Sequence, residues 1–188
     1  MNFKQRLLYT VYPLLRFIKG FSKKDLRVND RKAPVSIYDL VIDTPERSIR
    51  LSEFKGKKLV IVNIASECGY TRQLQSLNRL AEMNVAIIGF PSNDFKNQEP
   101  LEDEEILSFC RLNYGVDFPI AKKSVVASSP GQNVIFRWLT DSAMNGWNDE
   151  PPKWNFSKYI INEEGNLVAV SGPATDPLSG RFRKMLGG

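Results

Sequence analysis

Histidine is absent from the 188 residues, and no other feature of the sequence excludes so much. Without an imidazole there can be no Cys-His dyad, no Ser-His-Asp triad and no histidine-ligated metal centre. Cysteine is nearly absent too: Cys68 and Cys110 are the two present, which rules out a four-cysteine zinc or iron-sulfur site within one chain. Two cysteines do not make a disulfide-stapled secreted scaffold, so the core has to be self-sufficient and a reducing, cytoplasmic setting is the default expectation. Chemistry is left to thiols, carboxylates, amides, aromatic rings and lysines.

A long apolar run is also missing. The most apolar helical stripe near the N-terminus, Leu7, Leu8, Val11, Leu14, Leu15 and Ile18, is interrupted by Pro13 and flanked by Lys4, Arg6, Arg16 and Lys19. It falls short of the about 20 apolar residues a bilayer span requires. Arg16 and Lys19 stand where a cleaved signal would carry small residues, so a secretory signal is not expected. The formal charge of +5 is concentrated here: residues 1–32 carry nine Lys/Arg against two Asp/Glu, a balance of +7 that leaves the rest of the chain at -2. A nucleic-acid partner, which needs a basic face on the folded body, is therefore not expected. The segment reads either as a helix or tail of the domain or as a helix resting on an anionic membrane surface. Residues 1–33 are taken as this basic amphipathic segment, and 34–188 as one globular domain of ordinary size.

Within that domain, Val35–Val41 and Ser48–Leu51 read as strands of a hairpin around Thr44-Pro45-Glu46. Residues 58–65 are near-continuously apolar and β-branched, the pattern of a central strand buried on both faces. Leu74, Leu77, Leu80 and Ala81 then give a helical stripe, and 85–90 a second buried strand. Strand, helix and strand in that order predict a parallel βαβ unit. A helix is expected over 102–113, with acids crowding its first turn and Ile106, Phe109 and Cys110 on its inner face. Residues 132–140 and 179–186 are further helix candidates, and 156–161 with 166–170 a terminal hairpin. The sum is an α/β fold: a central mixed sheet with helices on both faces.

Cys68 follows the first buried strand and precedes the helix, in Ala65-Ser-Glu-Cys-Gly-Tyr-Thr71. A thiol at such a turn meets backbone amides and the positive end of a helix dipole, which favour thiolate, and Gly69 and Thr71 are expected to expose it. The alternative is that Cys68 serves as a small buried hydrophobe.

At this point the sequence resembles the glutathione peroxidase family. Val62-Asn-Ile-Ala-Ser-Glu-Cys-Gly-Tyr-Thr71 is similar to that family's peroxidatic motif, and Gly89-Phe-Pro-Ser-Asn-Asp-Phe-Lys-Asn-Gln-Glu-Pro100 to its second block. Trp154-Asn-Phe-Ser-Lys-Tyr-Ile160 resembles a third block, and Phe109-Cys-Arg-Leu-Asn-Tyr-Gly-Val-Asp-Phe-Pro-Ile120 a fourth. The resemblance implies a thioredoxin-like fold and a thiol peroxidase acting on hydrogen peroxide and organic or lipid hydroperoxides without a cofactor or metal. It places the catalytic group on Cys68, Gln98, Trp154 and Asn155. It places the resolving cysteine of thioredoxin-dependent members on Cys110, with thioredoxin or glutathione as the reductant. Amide and indole N-H donors suit a protein without histidine, because they can hold a thiolate and a developing alkoxide without titrating. Ser92, Asp94 and Arg72 depart from residues common in these blocks, and the stretch from Cys68 to Val85 is shorter than in many members by about one helical turn.

Competing readings are a thiol-disulfide oxidoreductase on the same fold, a copper-delivery protein and a non-catalytic redox relay. The first normally needs Cys-x-x-Cys, and Gly69-Tyr-Thr-Arg72 supplies no second cysteine. The second wants two close cysteines and a histidine. The third shares the oxidation step with a peroxidase and differs only in turnover.

Overall fold

The structure, a computed structural model, describes residues 26–187. The amphipathic stripe from Leu7 to Ile18, and with it the question of a membrane surface, lies outside the described residues. Among those described, no helix is long and apolar enough to cross a membrane.

Among the described residues there are seven strands and five α-helices. The strands are β1 (Leu26–Val28), β2 (Val41–Asp43), β3 (Ser48–Arg50), β4 (Leu59–Ile64), β5 (Ala86–Pro91), β6 (Lys158–Ile161) and β7 (Leu167–Ser171). The helices are α1 (Gln73–Ala81), α2 (Asp103–Tyr114), α3 (Val134–Leu139), α4 (Ser142–Asn145) and α5 (Gly180–Met185). Five strands form one mixed sheet in the order β1-β7-β6-β4-β5, while β2 and β3 make a separate hairpin. β4 and β5 run parallel, with α1 as their crossover, as the apolar pattern predicts; β6 joins β4 antiparallel, pairing Lys158 with Val62.

The β4 strand explains why the sheet needs two covering layers. All six of its residues are buried. Val60, Val62 and Ile64 face one core with Leu74, Leu77 and Leu80 of α1, Ile106 of α2 and Phe182 of α5. Leu59 and Ile61 face the other, against Ile42 and Ile49 of the hairpin and Ile135, Phe136 and Leu139 of α3. Alternation along a strand buried on both sides requires apolar residues at every position.

Two local expectations are corrected. The hairpin strands are shorter than the sequence pattern: Ile37–Asp39 is a 3-10 turn, capped by Ser36 Oγ accepting from the Tyr38 amide at 3.2 Å, so β2 starts only at Val41. The sheet also recruits Leu26–Val28 from the stretch read as the basic N-terminal segment, pairing it antiparallel with β7. Arg27 of this edge strand lies over the Trp147 ring, 5.6 Å from its centroid, and 3.5 Å from Glu150.

The α2 helix follows its sequence signals closely. Glu105 accepts from the Glu102 amide in a capping box, and acids occupy the first turn. Gly115 closes the helix at φ 64°, a left-handed conformation that costs a glycine little and other residues more.

Candidate active site

The Cys68 loop is a compact turn stapled by one hydroxyl. Thr71 Oγ1 accepts from the Cys68 amide at 3.2 Å and lies 2.7 Å from the Cys68 carbonyl and 2.8 Å from that of Ala65. A second anchor comes from outside the loop. Glu99 is 1% exposed and receives the Ser66 amide at 2.9 Å and the Ser66 hydroxyl at 2.7 Å, while the Glu67 amide donates to the Gln98 carbonyl at 2.9 Å. The segment carrying Gln98 is thereby tied directly to the residues preceding Cys68.

Trp154 and Asn155 arrive on a third segment, placed by a buried residue of β4. Asn63 donates from Nδ2 to the Trp154 carbonyl at 3.2 Å, and its Oδ1 accepts from the Ser157 amide at 3.0 Å. The turn so held puts Phe156 at φ 65°, an uncommon conformation for a bulky residue and one kept only where its surroundings enforce it. Asn155 Nδ2 then donates to Gln98 Oε1 at 3.1 Å. Phe95 packs against Trp154 with ring centroids 5.9 Å apart. Cys68, Gln98, Trp154 and Asn155, separated by up to 87 positions in sequence, meet at the ends of β4, β5 and β6.

The thiol itself is 3% exposed. This corrects two expectations: the turn does not present the side chain to solvent, and its position before α1 does not leave a lowered thiol pKa. Burial pushes Cys68 up to about 11, outweighing the Tyr70 amide, the Trp154 and Asn155 side chains and the Gly69 amide, all of which act in the opposite direction. The Tyr70 amide donates to Sγ at 3.5 Å. Trp154 Nε1 and Asn155 Oδ1 are buried without a hydrogen-bond partner of ordinary geometry. A buried indole N-H left in that condition is costly, and here it borders the sulfur whose ionised form it favours.

Cys110 does not join this polar group. It is 2% exposed on the inner face of α2, within the same apolar cluster as Cys68, and burial first and the Glu99 charge second push it up to about 12. Phe109, expected beside it, is only half-buried and packs on Tyr114. Both cysteines are free thiols.

Glu99 and Asn63 were not singled out by the sequence reading. Glu99 lies beside Gln98 in the second block, and Asn63 interrupts an otherwise apolar strand, which was the one available signal. Burial raises the Glu99 carboxyl to about 7, against the Ser66 hydrogen bonds and Lys123, which lower it. Because the folded value exceeds the ordinary 4.5, the stability linked to Glu99 is complete below about pH 4.5 and is lost as pH rises towards about 7. Glu99→Gln should therefore flatten the dependence of the melting temperature on pH across that window. Parallel wild-type and Glu99→Gln melting curves would contradict it.

Comparisons with known proteins place the sequence in a family. A family model described as glutathione peroxidase matches residues 37–140. The chain belongs to the glutathione peroxidase family. The glutathione peroxidase homolog BsaA of Staphylococcus aureus is 40% identical over 148 residues, covering 76% of this chain and 92% of that one. The glutathione peroxidase-like peroxiredoxin 2 of Saccharomyces cerevisiae is 39% identical over 149 residues, covering 77% and 91%. Among solved structures, Trgpx in its apo form superposes with a TM-score of 0.62 at 24% identity, over 83% of this chain and 98% of that one. The fold is the thioredoxin-like one that the family resemblance implies.

Proposed function

We propose that this glutathione peroxidase family member is a thiol peroxidase in which Cys68 attacks the peroxide. The observation that carries the reading is the unpartnered Trp154 indole N-H at a buried thiol, with Asn155 beside it and Gln98 fixing the Asn155 amide. Donors held in place before any charge develops need no reorganisation when it does.

In the reaction the Cys68 thiolate forms a bond to the terminal peroxide oxygen as the O-O bond breaks. Sulfur is oxidised to sulfenic acid, and the leaving alkoxide or hydroxide takes a proton to depart as alcohol or water. Trp154 and Asn155 donate to the thiolate and the oxygen that replaces its proton. Cys110 then attacks the sulfenic sulfur, releasing water and giving a Cys68-Cys110 disulfide, which a dithiol such as thioredoxin reduces by exchange. Glutathione is the alternative reductant, acting directly on the sulfenic acid. The substrates are hydrogen peroxide and organic or lipid hydroperoxides. The name of the yeast relative, a glutathione peroxidase-like peroxiredoxin, is in keeping with this chemistry. Association of residues 1–32 with an anionic membrane surface remains part of the proposal, resting on their +7 balance.

Consumption of NADPH with hydrogen peroxide or a lipid hydroperoxide is the test, with thioredoxin and its reductase run against glutathione and its reductase. Turnover with one system names the reductant, and none with either leaves a redox relay. Gln98→Ala, Trp154→Phe and Asn155→Ala should each slow Cys68 oxidation, by ~10²-fold where a donor to the developing charge is lost. Unchanged single-turnover oxidation rates in all three variants would remove the donor cluster from the mechanism.

A further inference from the structure

Lys158 has no place in the reaction as described. It belongs to β6 and is 0% exposed, a rare condition for a lysine. Its amine donates to the backbone carbonyls of Thr175, at 2.7 Å, and Pro173, at 3.4 Å, and among the described residues no carboxylate forms an ion pair with it. Pro173 O also accepts from Gln73 Nε2 at 2.7 Å. Gln73 opens α1, the helix that follows the Cys68 loop, so one carbonyl joins the amine to that helix start. Strand alternation agrees: Lys158 lies on the same sheet face as Ile160, which packs in the cluster containing Cys68.

We propose that Lys158 is a positioning residue for the Cys68 thiolate, a buried amine whose charged form offsets the charge on sulfur. The inference rests on the reading of Cys68 as the attacking thiol. In a chain without histidine, a buried amine can change its charge near pH 7, because burial makes its charged form costly. Burial does so here, lowering Lys158 to about 7, while Asp176 and then Cys68 act to raise it. Among the described residues, Asp176, from the loop after β7, and Cys68, from the loop before α1, are the titratable groups whose charges act on the amine. Because such an interaction is mutual, the ammonium form must favour the thiolate as much as the thiolate favours the ammonium form.

The test separates this coupling from peroxidase activity itself. In the full chain, the rate of Cys68 alkylation by iodoacetamide is followed against pH by peptide mass mapping, for wild type and Lys158→Met. The midpoint should rise by about one unit in the variant, with a rate at neutral pH lower by roughly tenfold. A folded Lys158→Met protein with an unchanged midpoint overturns the proposal. A second measurement needs no variant: the Lys158 side-chain titration, read by NMR on the wild-type chain with labelled lysine, should move to lower pH once Cys68 is methylthiolated. An unmoved Lys158 titration overturns the proposal equally. If Cys68→Ser keeps its peroxidase activity, the assignment of Cys68 fails instead, and the coupling between the two side chains is judged by its own two readouts.

Discussion

Cys68→Ser should abolish peroxide turnover with every reductant. A serine hydroxyl is nearly isosteric, so the Thr71 staple, the Glu99-Ser66 anchor and the Asn155-Gln98 hydrogen bond all have the same atoms to work with. What is lost is a nucleophile that can ionise and then carry oxygen, since a hydroxyl ionises far less readily than a thiol and forms no sulfenic acid. The check is the coupled NADPH assay together with a thermal melt. A melt close to wild type with no turnover is the expected pair of results. Residual activity above about a tenth, in a system where removing the nucleophile usually costs many orders of magnitude, would mean that another group attacks the peroxide.

Cys110→Ser should eliminate thioredoxin-supported turnover while leaving the first oxidation of Cys68 intact. In the wild-type chain, stoichiometric peroxide should produce a linked Cys68-Cys110 peptide, with both free thiols disappearing together. A disulfide needs Cα atoms within about 7 Å, and Cys110 sits in mid-helix with its side chain packed inward. The C-terminal part of α2 must then open to deliver it. That part is the cheaper one to open: Leu112 is 86% exposed, whereas Ile106, one turn before Cys110, is 0% exposed and holds the first half to the core. Far-ultraviolet circular dichroism should accordingly lose helix on oxidation. If Cys68 instead stops at sulfenic or sulfinic acid while Cys110 stays alkylatable, Cys110 is a core residue and glutathione becomes the reductant.

The parts of the fold legible in the sequence are those where local pattern and final environment coincide. β4 is apolar throughout because it is buried on both faces, and α2 carries its acids and its terminal glycine where the helix needs them. β1 was not legible, because Leu26-Arg27-Val28 acquires its strand character only from pairing with β7 at the sheet edge. The same division runs through the site. Cys68, Gln98, Trp154 and Asn155 could be named from motifs, yet the motifs carry no information on desolvation. The helix dipole was therefore visible in advance and the stronger opposing burial of the thiol was not. Glu99, an acid in a polar loop, reads as a solvated side chain until Ser66 closes over it.

The three tryptophans differ in one respect that makes the site observable by light alone. The indole N-H groups of Trp138 and Trp147 are engaged by the carbonyls of Val35 and Leu167, at 2.9 and 2.6 Å, and both rings pack in the core cluster that does not contain Cys68. Trp154, with its N-H unengaged, borders the sulfur. Adding an oxygen there changes the polarity and quenching around one emitter and leaves the other two as a constant background. Tryptophan emission should therefore report the redox state of Cys68 on the timescale of a stopped-flow trace, without any dye or coupled enzyme.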